Sequence, residues 1–158
     1  MVLPLSDDWE GALVRLIRVV VADDDAAFRE ALVDVLGADP RFTVVEALST
    51  GVGIGAVVER SRPDLVILDV RMPGGGAIAA RDVRRIRVKP PAVVALSTQT
   101  STHTVVEVLL AGAVGYLVKG RAGAQLPDLL ARCAAGEVVL AVPTGAEVLR
   151  RLTGPRGD

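Results

Sequence analysis

The sequence is poorest in the residues that most often build a redox, metal or hydrolytic centre: it has one cysteine, Cys133, and one histidine, His103, among 158 residues. One cysteine excludes an internal disulfide and a paired-cysteine metal site, and fits a structural thiol in a reducing compartment. With His103 near the start of a helix-like segment, where a solvated residue is expected, no Ser/His/Asp constellation can be drawn. An excess of one charge is missing as well. Eighteen basic and 19 acidic residues leave a net charge of −1, without the positive surplus of nucleic-acid-binding domains, so no nucleic-acid contact by this chain itself is expected. Apolar runs such as residues 19–22 fall far short of the ~20 residues of a spanning helix. Asp7, Asp8 and Glu10 stand where a secretory peptide carries positive charge. The expectation is a cytoplasmic chain with no membrane contact.

What is abundant is apolar material, 51% against 23% charged residues, enough to bury a core and too much for a disordered chain. The length suits one domain of ~100–150 residues with short extensions. From Ile17 onward, short β-branched runs at 18–22, 43–47, 65–68, 92–96 and 115–118 alternate with helix-like segments at 26–37, 54–61, 77–88, 102–112 and 124–136. The strand runs are continuously apolar, as strands covered on both faces are. Gly37, Gly112 and Gly136 stand where left-handed caps close helices, and Pro63 and Pro90 block continuation. Five βα units with right-handed crossovers make an α/β fold: a doubly wound five-stranded parallel sheet, flavodoxin-like (βα)5, of strand order 2-1-3-4-5.

Residues 1–16 form an N-terminal extension, whose Leu3, Leu5, Trp9, Leu13 and Val14 suit either a short amphipathic arm or an unstructured end. Residues 17–136 form the domain. Residues 137–158 read as a linker with a short helix over 144–152, opened by Pro143, and a tail ending in Gly-Pro-Arg-Gly-Asp.

In an open parallel sheet, binding groups collect at the carboxyl ends of the strands. The first strand run ends in Asp23-Asp24-Asp25, the third in Asp69, the fourth in Ser97-Thr98 and the fifth in Lys119. Clustered carboxylates repel one another unless a cation is present, and hard oxygen ligands suit Mg2+ or Mn2+. A carboxylate can also be the nucleophile of phosphoryl transfer, with metal, ammonium and hydroxyl neutralising the phosphoryl oxygens.

The segments Val-Val-Val-Ala-Asp-Asp-Asp, Pro-Asp-Leu-Val-Ile-Leu-Asp-Val-Arg-Met-Pro, Val-Val-Ala-Leu-Ser and Gly-Ala-Val-Gly-Tyr-Leu-Val-Lys together resemble the receiver domains of two-component response regulators. Further marks of the LuxR-type, NarL-like subfamily are Asp-Pro-Arg-Phe-Thr-Val-Val at 39–45 and Gly-Glu-Val-Val-Leu at 136–140. The resemblance implies that Asp69 accepts phosphate from a sensor histidine kinase, with self-catalysed transfer and hydrolysis and no enzyme activity of the ordinary kind. It implies that Asp24 binds the metal directly and Asp23 mainly through water, with Asp69 and the backbone carbonyl of Arg71 as further ligands. Ser97 moves to the phosphate, Lys119 pairs with it, and Tyr116 is the aromatic switch. Phe28-Arg29 sets the frame within the acidic triplet and leaves Asp25 as a helix cap. A homodimer through helix 4, strand 5 and helix 5 is a further implied contact, with Val105, Val106, Leu109 and Val114 as candidates that also suit a core. In the subfamily a DNA-binding domain follows, so transcriptional control is the expected output if such a domain is missing here. The chain departs from the family at Gly74-Gly75-Gly76-Ala77, at Thr98 and at Gly120.

Other readings compete. Gly51-Val52-Gly53-Ile54-Gly55-Ala56 has the spacing of a dinucleotide loop but leaves the acids, Ser97 and Lys119 without a role. A haloacid-dehalogenase-like phosphatase needs a second acid where Arg71 stands. A receiver that binds partners without phosphate, a pseudo-receiver, is the alternative with the same fold. The basic run Arg81, Arg84, Arg85, Arg87 and Lys89 reads as a solvated face.

Overall fold

The structure is a computed structural model describing residues 15–155; residues 1–14 of the N-terminal extension, expected as either a short arm or an unstructured end, lie outside them, as do the last three residues of the tail. Short apolar runs form parallel strands because their side chains are buried on both faces. These are β1 (Ile17–Ala22), β2 (Phe42–Leu48), β3 (Leu65–Leu68), β4 (Ala92–Ser97) and β5 (Gly115–Val118). Between them lie α1 (Ala26–Gly37), α2 (Ile54–Ser61), α3 (Gly76–Arg84) and α4 (Thr102–Leu110), and α5 (Leu126–Ala134) follows β5. The sheet runs in the order 2-1-3-4-5, as the flavodoxin-like reading requires, and then continues.

The continuation corrects the count of five strands. Residues Val139–Ala141 form a sixth, β6, parallel to β5 with Gly115 opposite Val139, and Gly145–Thr153 form α6. The physical reason is the free edge of β5, a row of unpaired N–H and C=O groups that a short apolar segment can satisfy. Val139 N–H, for example, donates to the Val114 carbonyl at 3.0 Å.

Alternate strand residues point to opposite faces and build two cores. One holds Val19, Val21, Leu65, Ile67, Leu96 and Leu117 against α1 and α5, through Leu32, Leu36, Leu130 and Cys133. The other holds Val20, Val66, Leu68, Ala95 and Tyr116 against α2, α3, α4 and α6, through Ile54, Val58, Val83, Val105, Val108 and Val148. Cys133 is fully buried, in line with a structural thiol.

Helix ends follow local chemistry, with two departures. Gly112 (φ 117°) and Gly136 (φ 96°) adopt the left-handed conformation, but Gly37 lies within α1, and Ala38 closes that helix in right-handed geometry. The third helix stops at Arg84, short of the expected residue 88. Pro90 and Pro91 lack the N–H groups that a continuing helix needs, and Lys89 before them turns through the left-handed region at φ 48°. No helix of the described residues is long and apolar enough to cross a membrane.

Candidate functional site

The carboxyl ends of β1, β3 and β5 bring Asp23, Asp24, Asp69 and Lys119 to one place. Asp23 is 2% exposed and Asp69 6% exposed, whereas Asp24 is open to solvent. Carboxylate oxygens of Asp23, Asp24 and Asp69 all lie within 4.8 Å of one another. Lys119 Nζ bridges two of them, 2.7 Å from Asp23 Oδ2 and 3.4 Å from Asp69 Oδ2.

Each group is held from the backbone. Asp23 Oδ1 accepts the N–H of Asp25 at 2.9 Å, and its main-chain carbonyl accepts from Arg29 Nη1 at 2.6 Å. Asp69 Oδ1 accepts the N–H of Val70 at 2.8 Å and, more distantly, that of Arg71 at 3.5 Å, leaving Oδ2 toward Lys119. Asp25 caps α1, its Oδ1 accepting from Phe28 N–H at 3.1 Å, so the three consecutive acids divide as two in the site and one on the helix.

One ammonium touches two of the three carboxylates. Burial pushes the Asp23 carboxyl above its ordinary value, a shift that Lys119 and the Asp25 N–H oppose and the charge of Asp69 reinforces. For Lys119, burial acts to lower the pKa but is outweighed by the Asp23 hydrogen bond and the charges of Asp69 and Asp23, so the net shift is upward. Surplus negative charge on hard oxygen donors therefore remains, and a divalent cation fits it.

Ser97, 1% exposed, ends β4 beside Val118 of β5. Its Oγ accepts the N–H of Gln99 at 3.1 Å. Tyr116 is fully buried, its hydroxyl donating to the Gln99 carbonyl at 2.6 Å. Among the dimer candidates, Val105 is core, while Val106, Leu109 and Val114 are half-buried against the two cores.

Two supports were not assigned a place in the site by sequence reasoning. The Phe28 ring lies 4.4 Å under Lys119 Nζ, a cation–π contact, and Arg29 pins the Asp23 carbonyl. Both sit in the first turns of the helix that Asp25 opens, which is the signal that could have found them.

The glycines of the rival nucleotide loop are accounted for by packing. A Cβ on Gly51 would fall 2.2 Å from the Gly74 carbonyl oxygen, and one on Gly55 2.8 Å from Asp82 Oδ1. Gly53 takes φ 76° at the entrance of α2.

Known proteins similar to this chain share its fold. A family model for the response regulator receiver domain matches residues 19–131. The DNA-binding transcriptional activator DevR/DosR of Mycobacterium tuberculosis is 34% identical over 140 residues, covering 88% of this chain and 64% of that protein. A protein-glutamate methylesterase/protein-glutamine glutaminase of Anaeromyxobacter dehalogenans is 32% identical over 90% of this chain but only 40% of its own length. Among solved structures, the receiver domain of the response regulator NarL of Mycobacterium tuberculosis superposes with a TM-score of 0.73 at 32% identity, covering 78% of this chain and 99% of that one. The chain thus spans 64% of the length of the first of these curated relatives and 40% of the second.

Proposed function

The chain belongs to the response regulator receiver domain family, and from that premise we propose that it is a phosphorylation switch whose acceptor is Asp69, served by a sensor histidine kinase in the cytoplasm. The observation that carries the reading is the Lys119 bridge, 2.7 Å to Asp23 and 3.4 Å to Asp69, within a cluster of three carboxylates.

In this reading an Asp69 carboxylate oxygen attacks phosphorus. The new P–O bond forms as the bond to the donor breaks, and the electron pair leaves with the donor. The Val70 N–H holds Asp69 Oδ1 in place, and the low-exposure pocket limits water around the acyl phosphate. Mg2+ or Mn2+, when bound, supplies charge neutralisation for the phosphoryl oxygens. Asp24 would hold it directly, Asp23 through water, with Asp69 and the Arg71 carbonyl completing the set. Lys119 would pair with a phosphoryl oxygen. Ser97, at the end of the adjacent strand, would exchange its Gln99 N–H bond for the phosphate, and Tyr116 would follow the loop.

A carboxylate that is phosphorylated and hydrolysed in its own pocket makes this chain a switch rather than an enzyme acting on other molecules. The relative named as a DNA-binding transcriptional activator supports transcriptional control as the output.

The test is incubation with acetyl phosphate and Mg2+, read by intact mass. The expected result is the gain of one phosphoryl group, its loss in Asp69→Asn, and an unchanged far-ultraviolet dichroism spectrum in that variant. Equal phosphorylation of Asp69→Asn sinks the assignment.

A further inference from the structure

The loop between β4 and α4 is tied at two points remote from the acids. The Tyr116 hydroxyl donates to the Gln99 carbonyl at 2.6 Å, and Thr144 Oγ1 donates to the Thr100 carbonyl at 2.9 Å. Both acceptors lie within three residues of Ser97, whose Oγ accepts the Gln99 N–H, and the loop ends at Ser101, the cap of α4. Any displacement of Ser97 is therefore felt at two anchored carbonyls.

Thr144 stands at the entrance of α6, which packs on α4. Val148, one turn on, is fully buried in the cluster that holds Val105 and Val108 of α4 and Tyr116 of β5. It is the only buried residue of α6, on whose outer face Arg150 and Arg151 both pair with Glu147. β6 fastens the start of this segment to β5. The open edge of β5 and part of the α4 surface, which the sequence reading offered to a second copy, are thus occupied by residues 139–153 of the same chain.

We propose that α6 is a docked output element, seated on α4 while the loop holds the observed position and loosened when Asp69 carries phosphate. This rests on Asp69 as the acceptor. Ser97 can follow the phosphoryl group only by giving up the Gln99 N–H, which moves the carbonyls of Gln99 and Thr100 away from Tyr116 and Thr144. Val148 is the one fully buried side chain of α6 and Thr144 its one hydrogen bond to the loop, so loss of that bond loosens the helix, and its release uncovers the α4 surface and the β6 junction. Linkage makes the effect reciprocal: if phosphate at Asp69 loosens α6, then loosening α6 must strengthen the binding of a phosphate analogue by the same factor.

The experiment uses the full chain with Mg2+ and beryllofluoride as the phosphoryl analogue, whose binding is read by fluorine resonance, and amide hydrogen exchange over residues 144–153. Beryllofluoride is expected to speed exchange in α6 about tenfold or more, within the range of couplings found between sites. Thr144→Val, which removes the bond to Thr100, is expected to bind beryllofluoride about fivefold tighter, while Thr144→Ser, which keeps the donor, stays like the parent. Beryllofluoride binding with unchanged α6 exchange, or equal affinity in Thr144→Val, overturns the coupling alone. Absence of both beryllofluoride binding and the acetyl phosphate mass gain overturns the acceptor assignment and this inference with it.

Discussion

Lys119 is paired more closely with Asp23 than with Asp69, at 2.7 Å against 3.4 Å. The ammonium thus serves as an internal counter-ion for the more deeply buried acid, while Asp69 keeps one oxygen less tightly engaged. The upward shift of Lys119 means that its pairing stabilises the fold fully below the ordinary lysine value of 10.5 and is lost as pH rises through its higher folded value.

Removing that counter-ion should make the fold depend on a divalent cation. The Lys119→Met variant retains much of the stem's packing but leaves Asp23 and Asp69 facing each other in a pocket where their side chains are 3% and 8% exposed. Loss of one partner from a buried pair costs on the order of 3 kcal/mol. Urea unfolding without divalent cation should show a loss of this order, and millimolar Mg2+ should recover much of it. The parent should gain less from Mg2+, and an equal gain in both proteins would falsify the counter-ion role.

The acidic triplet offers a paired test. Asp25→Ala removes the side-chain cap of α1 and should cost about 1 kcal/mol of stability, with Mg2+ affinity nearly unchanged. Asp24→Ala removes an exposed carboxylate from the cluster. It should weaken Mg2+ binding tenfold or more while leaving stability within about 0.5 kcal/mol of the parent. Calorimetric Mg2+ titration of the two variants separates the roles. Equal losses of affinity would mean that the frame within the triplet is wrong.

Tyr116 is the sole tyrosine of the chain, so tyrosinate absorbance reports it alone. Burial pushes its pKa above 10.0, an effect that the nearby Ser97 hydroxyl opposes and the Asp69 charge reinforces. A raised folded value means that the contribution of neutral Tyr116 is complete below pH 10.0 and disappears as pH climbs through the folded value. Tyrosinate should therefore appear above the ordinary range and together with loss of structure. Tyr116→Phe, which leaves the Gln99 carbonyl without its 2.6 Å donor, should lose about 1 kcal/mol at neutral pH. An ordinary titration in the folded protein would place the hydroxyl in solvent.

The strands were legible because burial on both faces removes polar residues from them: β3 and β5 fall at the residues expected, and β1, β2 and β4 differ by one residue at one or both ends. Asp23, Asp69, Ser97 and Lys119 were legible because each directly ends or follows such a run. β6 was not, since Val138-Val139-Leu140 suits a loop as well as a strand until β5 presents an unpaired edge. The Thr144 bond was hidden for a related reason. A threonine at a helix start reads as a local cap, but its hydroxyl reaches a carbonyl 44 residues away. The glycines at 51–55 were read as a loop motif and those at 74–76 as a departure from the family, whereas Gly51 and Gly74 pack backbone against backbone.

That packing yields a last prediction. The Gly51 N–H donates to the Pro73 carbonyl at 2.9 Å, as does Thr50 Oγ1 at 3.0 Å, so the β2–α2 and β3–α3 loops are joined beside the stretch that carries Asp69. A methyl group at residue 51 would meet the Gly74 carbonyl oxygen at 2.2 Å, backbone that cannot swing aside as a flexible side chain does. Gly51→Ala should therefore part the two loops and cost on the order of 2 kcal/mol. Because Gly75 N–H and Gly76 N–H bond Met72 and Asp69 carbonyls in the same turn, phosphorylation by acetyl phosphate should slow as well. Gly53→Ala is the control. It has φ 76° but nothing within 4 Å of the added methyl, so it should lose about 1 kcal/mol from backbone strain and keep the parent's phosphorylation rate. If Gly51→Ala matched Gly53→Ala in both stability and rate, the contact between the loops would have no part in holding the acceptor.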